Sequence, residues 1–335
     1  MIVMYHPRYR GTHYESGLTY GRLMKKKGAT ILEFAKIPEN QFKFGKECIL
    51  ECEKYYPEVL EQIYGVADGL EVERVVIAVW LLCMYCYTKD NWCTTMVFKN
   101  EEEIIFARNS DFATVVKRLS ESAYYKLDHG YSFIGNSTAF IQMEDGVNEH
   151  GLAVGLNFII PHKIKPGLNA GLLVRYLLER CKNTEEALTV LKSLPISSSQ
   201  ILTLVDREGK MVAIECNCET IDLRYPTSSQ SFLVSANDYK LEKMQKYKVL
   251  EAADTIYSNE RYLTGVHALS NHEYSLLFTK KLLSGSYGFM CQYQHEFGFD
   301  TIWSSIYDIK HNKIYRAEGN PSRVQYREDI RLKFK

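Results

Sequence analysis

A cysteine, an arginine and an aspartate in one short stretch are the residues of this chain best suited to covalent chemistry. Cys93 follows Asp90-Asn91-Trp92, where a helical pattern gives way to a β pattern. Arg108 and Asp111 come fifteen and eighteen residues later, within Ala107-Arg108-Asn109-Ser110-Asp111-Phe112. A thiol attacks carbonyl carbon as its thiolate, which a neighbouring positive charge favours. A nearby carboxylate can hold an ammonium or orient the arginine. The cysteine opens one apolar run, and the arginine and aspartate close the next, so an antiparallel hairpin would bring all three within reach. The same residues have plainer uses. A cysteine before a strand is often a small buried apolar residue, and an arginine and aspartate three apart often form a surface pair worth little.

The elements that must position these groups follow from periodicity. The first ninety residues look helical. Glu15 to Lys27 carries a helical pattern, and Pro57 to Ala67 places Val59, Ile63 and Val66 on one face, with Pro57 suited to the first turn. A further helix is predicted from about Glu73 to Tyr87. After residue 92, runs at 94–99 and 103–108 flank polar Asn100-Glu101-Glu102, a hairpin signal. Ser137 to Met143 with Leu152 to Phe158, and Ile201 to Val205 with Met211 to Glu215, read as further hairpins. Helices are predicted at about Leu168 to Cys181 and Glu185 to Leu194, the second capped by Asn183 with Glu186 in capping-box spacing. Phe232 to Ser235 is a short strand, Leu241 to about Leu283 reads as helical, and strands lie near 301–307 and 313–317. Hairpins, then helices, then hairpins imply an α+β fold of antiparallel sheets with segregated helices. With no repeat or linker, residues 1–335 read as a single domain.

Bulk properties exclude several classes. The 41 basic and 41 acidic residues cancel, so no strong field attracts nucleic acid or an anionic membrane. The longest apolar stretch, Val75 to Tyr87, falls short of the roughly 18 to 20 residues that span a bilayer. The N-terminus lacks a charged lead and apolar core, so it does not read as a secretory signal. Nine scattered cysteines without a framework pattern imply reduced thiols in the cytoplasm. Cys83/Cys86 has the two-residue gap of a zinc knuckle but lies in the apolar helix without turn residues, and Cys216/Cys218 has only one intervening residue, so neither a metal nor a cofactor is expected. His150 and His162 lie near strand ends, but the context of Cys93 does not suit a cysteine–histidine pair, and His150 reads as a turn residue.

Cys93-Thr94-Thr95 followed by Arg108-Asn109-Ser110-Asp111-Phe112 resembles the start of the mature catalytic chain in the choloylglycine hydrolase and penicillin acyltransferase families. These are linear-amide hydrolases with an N-terminal cysteine. Residues 146–157, Gly-Val-Asn-Glu-His-Gly-Leu-Ala-Val-Gly-Leu-Asn, resemble a second signature ending in a catalytic asparagine, and Phe232 to Asn237 a third. Gly17-Leu18-Thr19-Tyr20-Gly21, the segment from Tyr56 to Gly69, and Glu318-Gly319-Asn320-Pro321 are similar to the acyl-coenzyme A:6-aminopenicillanic acid (isopenicillin N) acyltransferase branch. The resemblance spans nearly the whole chain.

It implies the N-terminal-nucleophile hydrolase fold, a four-layer αββα sandwich with a helical prosegment, residues 1–92, and a catalytic chain, 93–335. It also implies self-cleavage between Trp92 and Cys93, after which the Cys93 amine acts as base for its own thiol. Arg108 and Asp111 would position and tune that pair, and Asn157 and Asn237 would stabilise an oxyanion or hold the amine. Asn148 and Gly151 would serve the turn. The branch usually carries glycine before the nucleophile, where this chain has Trp92. The implied partner is a small-molecule amide, hydrolysed or passed as acyl group to an amine or coenzyme A. An unprocessed, ligand- or partner-binding relative is the alternative from another class. Apolar Phe158-Ile159-Ile160 would line an acyl pocket or simply end a core strand. Neither substrate nor oligomeric state is written in the sequence.

Overall fold

Strands begin where the β-branched and aromatic residues begin. The computed structural model describes residues 4–28, 37–87, 92–249, 254, 256–293, 296 and 298–335. A hairpin joins β2 (Trp92–Lys99) to β3 (Ile104–Ala113), turning through Asn100, whose Oδ1 accepts from the Glu102 and Glu103 amides. Strands β11 (Phe232–Ser235), β12 (Phe299–Asp308), β13 (Lys313–Ala317) and β14 (Arg327–Glu328) complete a six-stranded antiparallel sheet in the order β11-β2-β3-β12-β13-β14.

The second sheet has eight strands. It contains β1 (Arg8–Gly11), β4 (Glu121–Leu127), β5 (Phe133–Ser137), β6 (Asp145–Asn148), β7 (Ala153–Ile159), β8 (Ser199–Val205), β9 (Met211–Cys216) and β10 (Ile221–Arg224), adjacent in that order. All pairs are antiparallel except β1 with β4. The sheets face each other through β2, β3 and β11 against β7, β8 and β9. Val97, Phe106, Ile134, Val147, Ile201 and Tyr307 are buried between them, each contributing roughly 1.5–3 kcal/mol over exposure. Helix α5 (Ala170–Arg180) covers the eight-stranded sheet, and α7 (Ser258–Asn271) and α8 (Leu276–Leu283) cover the other. The α+β fold is therefore the expected four-layer αββα sandwich.

The N-terminal region supplies α1 (His13–Lys26), α2 (Glu39–Tyr55), α3 (Pro57–Leu70) and α4 (Arg74–Cys83), and α6 (Thr184–Leu191) follows α5. Helices α1 and α3 touch backbone to backbone. A Cβ on Gly17 would lie 2.1 Å from the Gln62 carbonyl oxygen, and one on Gly65 would lie 2.2 Å from that of Tyr14. Beneath them, buried Glu179 of α5 accepts from Arg175 Nη2 at 2.8 Å, from Tyr56 and from His13 Nε2 at 3.3 Å, tying the N-terminal helices to the layer that covers the eight-stranded sheet.

Three expectations are corrected. Ser137 to Met143 is no strand. Ser137 Oγ accepts from the Ala139 amide at 2.8 Å, Glu144 Oε1 from both the amide and the hydroxyl of Thr138, and Phe140 is left-handed with φ 61°. The run is a buried turn, and β6 takes the place beside β7. The stretch from Leu241 to Leu283 is not one helix. A 3-10 turn (Glu242–Tyr247) precedes α7 and α8, because Asp254 accepts from the Ser258 amide at 2.9 Å and Ser275 from that of Phe278 at 3.0 Å, each starting a new helix. Residues 250–253 and 255 of that stretch lie outside the described residues. Helix α4 ends at Cys83 rather than Tyr87, since Tyr85 is left-handed with φ 61°. The periodicity singles out no element at α2, β1, β4, β5, β10 or β14.

Glu121 of β4 sits beneath α1, 3% exposed, and its Oε1 lacks a partner among the described residues. Burial raises its pKa to about 8, offset only in part by Lys27, Tyr20 and Arg175, against 4.5 when free. The native state thus keeps a proton that the unfolded chain releases from about 4.5 upward, so stability falls as pH rises through that window to about 8. Glu121→Gln should remove this decline. Thermal melts of the two proteins should nearly coincide below pH 4.5 and separate by several degrees above pH 8, the variant melting higher.

Candidate active site

The β2–β3 register decides which groups meet. Cys93 lies opposite Ser110, Thr95 opposite Arg108, and Trp92 opposite Asp111. Side chains alternate along a strand, so Cys93, Ser110 and Arg108 face the inter-sheet layer while Asp111 faces away with Thr94. The hairpin does bring its ends together, but thiol and carboxylate stand on opposite faces.

Every polar group of Cys93 is engaged. Its amide donates to Asn237 Oδ1 at 3.1 Å and its thiol to the Leu156 carbonyl at 3.0 Å. Its own carbonyl accepts from Asn157 Nδ2 and from Arg261 Nη1, both at 2.8 Å. Asn157 projects from β7 into the inter-sheet layer, and Asn237 lies two residues beyond β11. Asn237 Nδ2 also donates to the Phe158 carbonyl at 2.9 Å and stands 4.0 Å from the thiol. The two asparagines named from the sequence thus flank Cys93 from both sheets.

Arg108 is wholly buried. Its Nε and Nη2 donate to the Leu156 carbonyl at 3.3 and 3.0 Å, the oxygen that also receives the thiol. Its Nη1 donates to Asp145 Oδ2 at 3.0 Å and to Ser110. Room for its stem comes from Gly155, where a Cβ would lie 3.2 Å from Arg108 Cδ and 2.6 Å from Phe106 Cζ. Asp145 also accepts from Trp303 Nε1 at 3.0 Å, Asn136 Nδ2 at 2.6 Å, Ser305 Oγ at 3.1 Å and the Tyr307 hydroxyl. The carboxylate that holds Arg108 is therefore Asp145, not Asp111. Glu144 lies 3.9 Å from Arg108 Nη2. Burial raises the Glu144 pKa to about 7, against the pull of Arg108. Burial likewise raises the Cys93 thiol pKa, with Arg108 and Arg261 opposing it.

Asp111 accepts from Thr301 Oγ1 at 2.6 Å and from the Tyr293 hydroxyl at 3.0 Å, with Arg261 Nη1 3.8 Å away. Burial raises its pKa too, against Arg261 and these two hydroxyls. Arg261 of α7 is one residue that sequence reasoning missed. Besides the Cys93 carbonyl it donates to Thr94 Oγ1 at 2.7 Å and to Asn237 Oδ1 at 2.9 Å. It thereby joins Cys93, Asn237 and Asp111. Asp145 and Glu144 were also missed, although they stand immediately before the signature that begins at Gly146.

Trp92 packs its ring against Phe158 at 6.0 Å. Trp92, Ile159, Ile160 and Asn237 help line a 290 Å³ pocket. Phe158 itself is a core residue. Asp90 and Asn91 lie outside the described residues. His150 stacks edge-on against Tyr131, and Asn148 and Gly151, with φ 83°, build the β6–β7 turn as expected. The paired cysteines are engaged separately, Cys86 with Ser197, Cys83 with the Gln41 carbonyl, Cys216 with Gln200 and Cys218 with the Lys163 carbonyl. Among the described residues no helix is long and apolar enough to cross a membrane.

A cysteine opening an inner strand of a four-layer sandwich, gripped by Asn157, Asn237 and Arg261 with buried Arg108 beside it, defines a protein of the N-terminal-nucleophile hydrolase type. Residues 98–323 match the family model for acyl-coenzyme A:6-aminopenicillanic acid acyl-transferase, and the chain belongs to that family. Family membership supports amide hydrolase or acyltransferase activity. No curated protein matches the sequence. Among solved structures, a Caenorhabditis elegans N-acylethanolamine-hydrolyzing acid amidase ortholog is 16% identical, covering 65% of this chain and 93% of its own, with TM-score 0.47. Penicillin V acylase from Agrobacterium tumefaciens is 17% identical over 68% and 82%, with TM-score 0.45. A conjugated bile acid hydrolase from Clostridium perfringens is 12% identical over 72% and 98%, with TM-score 0.49. At this level of likeness none of the three lends a residue role to this chain.

Two outcomes follow from the Arg108 environment. Asp145→Asn should destabilise the protein by about 3–5 kcal/mol in denaturant unfolding, because it leaves the buried guanidinium only Glu144, 3.9 Å away and protonated below about 7, as counter-charge. Glu144→Gln should raise the rate of Cys93 alkylation above pH 7, followed by peptide mass mapping, because in the wild type Glu144 ionises through about 7 and competes for Arg108.

Proposed function

We propose that the chain hydrolyses a linear amide through a thioester on Cys93, after cutting itself between Trp92 and Cys93. The observation that carries this reading is the grip on Cys93, whose amide is held by half-buried Asn237 and whose carbonyl and thiol are held by buried groups, while Arg108 stands beside the thiol. Any buried strand residue needs its amide and carbonyl satisfied; what packing does not require is a guanidinium set beside the thiol.

In self-cleavage the Cys93 sulfur attacks the Trp92 carbonyl carbon, the peptide C–N bond breaks, and the new amine takes the proton. Water then hydrolyses the thioester and leaves a carboxylate on Trp92. Asn237 Oδ1, which accepts from the Cys93 amide, would hold the resulting ammonium. That amine, with an ordinary pKa of about 7.7–8.0, would accept the thiol proton and return it to the leaving amine. Arg108 would favour the thiolate, Asn157 and Asn237 would donate to the oxyanion or fix the amine, and Asp111 would hold Arg261 in place. Residues 1–92 would be the prosegment and 93–335 the catalytic chain of one domain. The nine free cysteines support a reducing, cytoplasmic setting for a small-molecule amidase. The family's description favours acyl transfer to an amine or coenzyme A as the second reading. Hydrolysis ranks first because water is its only acceptor.

Intact mass of fresh protein tests the reading. The wild type should give fragments 1–92 and 93–335, and Cys93→Ala a single full-length mass. Asn157→Ala and Asn237→Ala should slow thioester formation by roughly 10²–10³-fold, as expected for loss of an oxyanion donor. A full-length wild-type mass would instead rank the unprocessed, binding reading first.

A further inference from the structure

We propose that a basic cleft between β1, β4 and the C-terminal tail binds a phosphate-bearing small anion that clamps the N-terminal strand to the catalytic sheet. The 470 Å³ cleft is lined by Arg8, Arg10, Lys126, Arg331, Lys333 and Lys335, with Glu149 its one acidic side chain. Arg331 is taken by Asp329 at 2.6 Å, and Lys335 by Glu149 at 2.7 Å. Among the described residues Arg8, Arg10, Lys126 and Lys333 have no carboxylate partner. Four uncompensated cations around one cleft, in a chain of zero net charge, concentrate positive potential there.

The strand register sharpens the point. In the parallel β1–β4 pair, Arg8 lies opposite Tyr124 and Arg10 opposite Lys126. Arg8, Arg10 and Lys126 therefore share one face, while Tyr9 and Tyr125 turn to the other and enter the core. Like charges side by side on neighbouring strands repel and weaken the pairing. An anion between them removes that cost. Guanidinium groups match phosphate oxygens two at a time, and four cations suit a multiply charged phosphate better than a single carboxylate. The tail carrying Arg331 and Lys333 is itself fixed to β4, since Arg331 Nη1 and Nη2 donate to the Ser122 carbonyl and hydroxyl, both at 2.8 Å. The cleft thus has walls from three separate parts of the chain. The inference stands whether or not the chain is cut at Trp92–Cys93.

Titration calorimetry of the full chain with sodium tripolyphosphate at low ionic strength is the test, with sodium chloride at matched ionic strength as blank. The wild type should give a saturable heat, and Arg10→Gln/Lys126→Gln should bind roughly tenfold more weakly or worse. Lys281→Gln, a basic residue elsewhere, should bind as the wild type does. If the double variant fails to fold, Lys333→Gln on the tail carries the same expectation of weakening. Without ligand, Arg10→Gln alone should melt slightly higher than the wild type, which a merely structural role for Arg10 would reverse. Tripolyphosphate should raise the wild-type melting temperature by mass action. Co-sedimentation with phosphatidylcholine vesicles containing phosphatidic acid, lost in the double variant, would assign the phosphate to a lipid head group. Tripolyphosphate binding without co-sedimentation would assign it to a soluble compound. No binding of either, or equal binding by the double variant, overturns the proposal.

Discussion

A guanidinium sealed away from water is the constraint on which the rest of the structure depends. Arg108 has no exposure, and a charge so placed is tolerable only with a counter-charge and its hydrogen bonds made. Asp145 supplies the counter-charge from the opposite sheet, and Asp145 is in turn held from β5 and β12. One charge is therefore satisfied only when strands of both sheets are in register. That same register sets the Cys93 thiol on the Leu156 carbonyl beside Arg108. Electrostatic satisfaction and positioning of the Cys93 thiol are one requirement.

The N-terminal residues answer to the same sandwich. Strand β1 extends the eight-stranded sheet, α1 and α3 meet through glycines, and His13 and Tyr56 reach Glu179 beneath α5. These helices carry much of the apolar cluster on that sheet's outer side. Removing them would uncover that surface and strip β4 of its neighbour. A cut at Trp92–Cys93 would break one covalent bond and leave these contacts in place.

Much of this was legible in the residues. The β2–β3, β8–β9 and β12–β13 hairpins announce themselves by β-branched runs around polar turns, and Phe232–Ser235 was read to the residue. Asn183 caps α6 as its spacing implies. The misreadings have physical causes. Ser137 to Met143 is apolar because it is buried, and burial alone does not distinguish a strand from a turn held by Ser137 and Glu144. Strand β1, Arg-Tyr-Arg-Gly, offers one buried side chain to any periodicity argument. At the site, Cys93, Asn157 and Asn237 could be named because they fall in motifs at element ends. Arg261 could not, since a single arginine inside a helix looks like a solvated residue until α7 packs it against β2. Asp111 shows the limit of spacing arguments. Its distance along the chain from Arg108 is odd, and in a strand an odd separation turns two side chains to opposite faces.

The Leu156 carbonyl receives the thiol of Cys93 and two nitrogens of Arg108, which makes a main-chain atom the meeting point of the site. No side-chain substitution can delete it. A mutational survey at position 156 would record only the tolerance of a buried apolar residue, and the chemistry routed through its oxygen would leave no mark. What the site requires there is a strand held in its lane, so insertions or deletions within β7 would be the lesions that expose it. Inheritance would then preserve the length of that strand more strictly than the letter written at its centre.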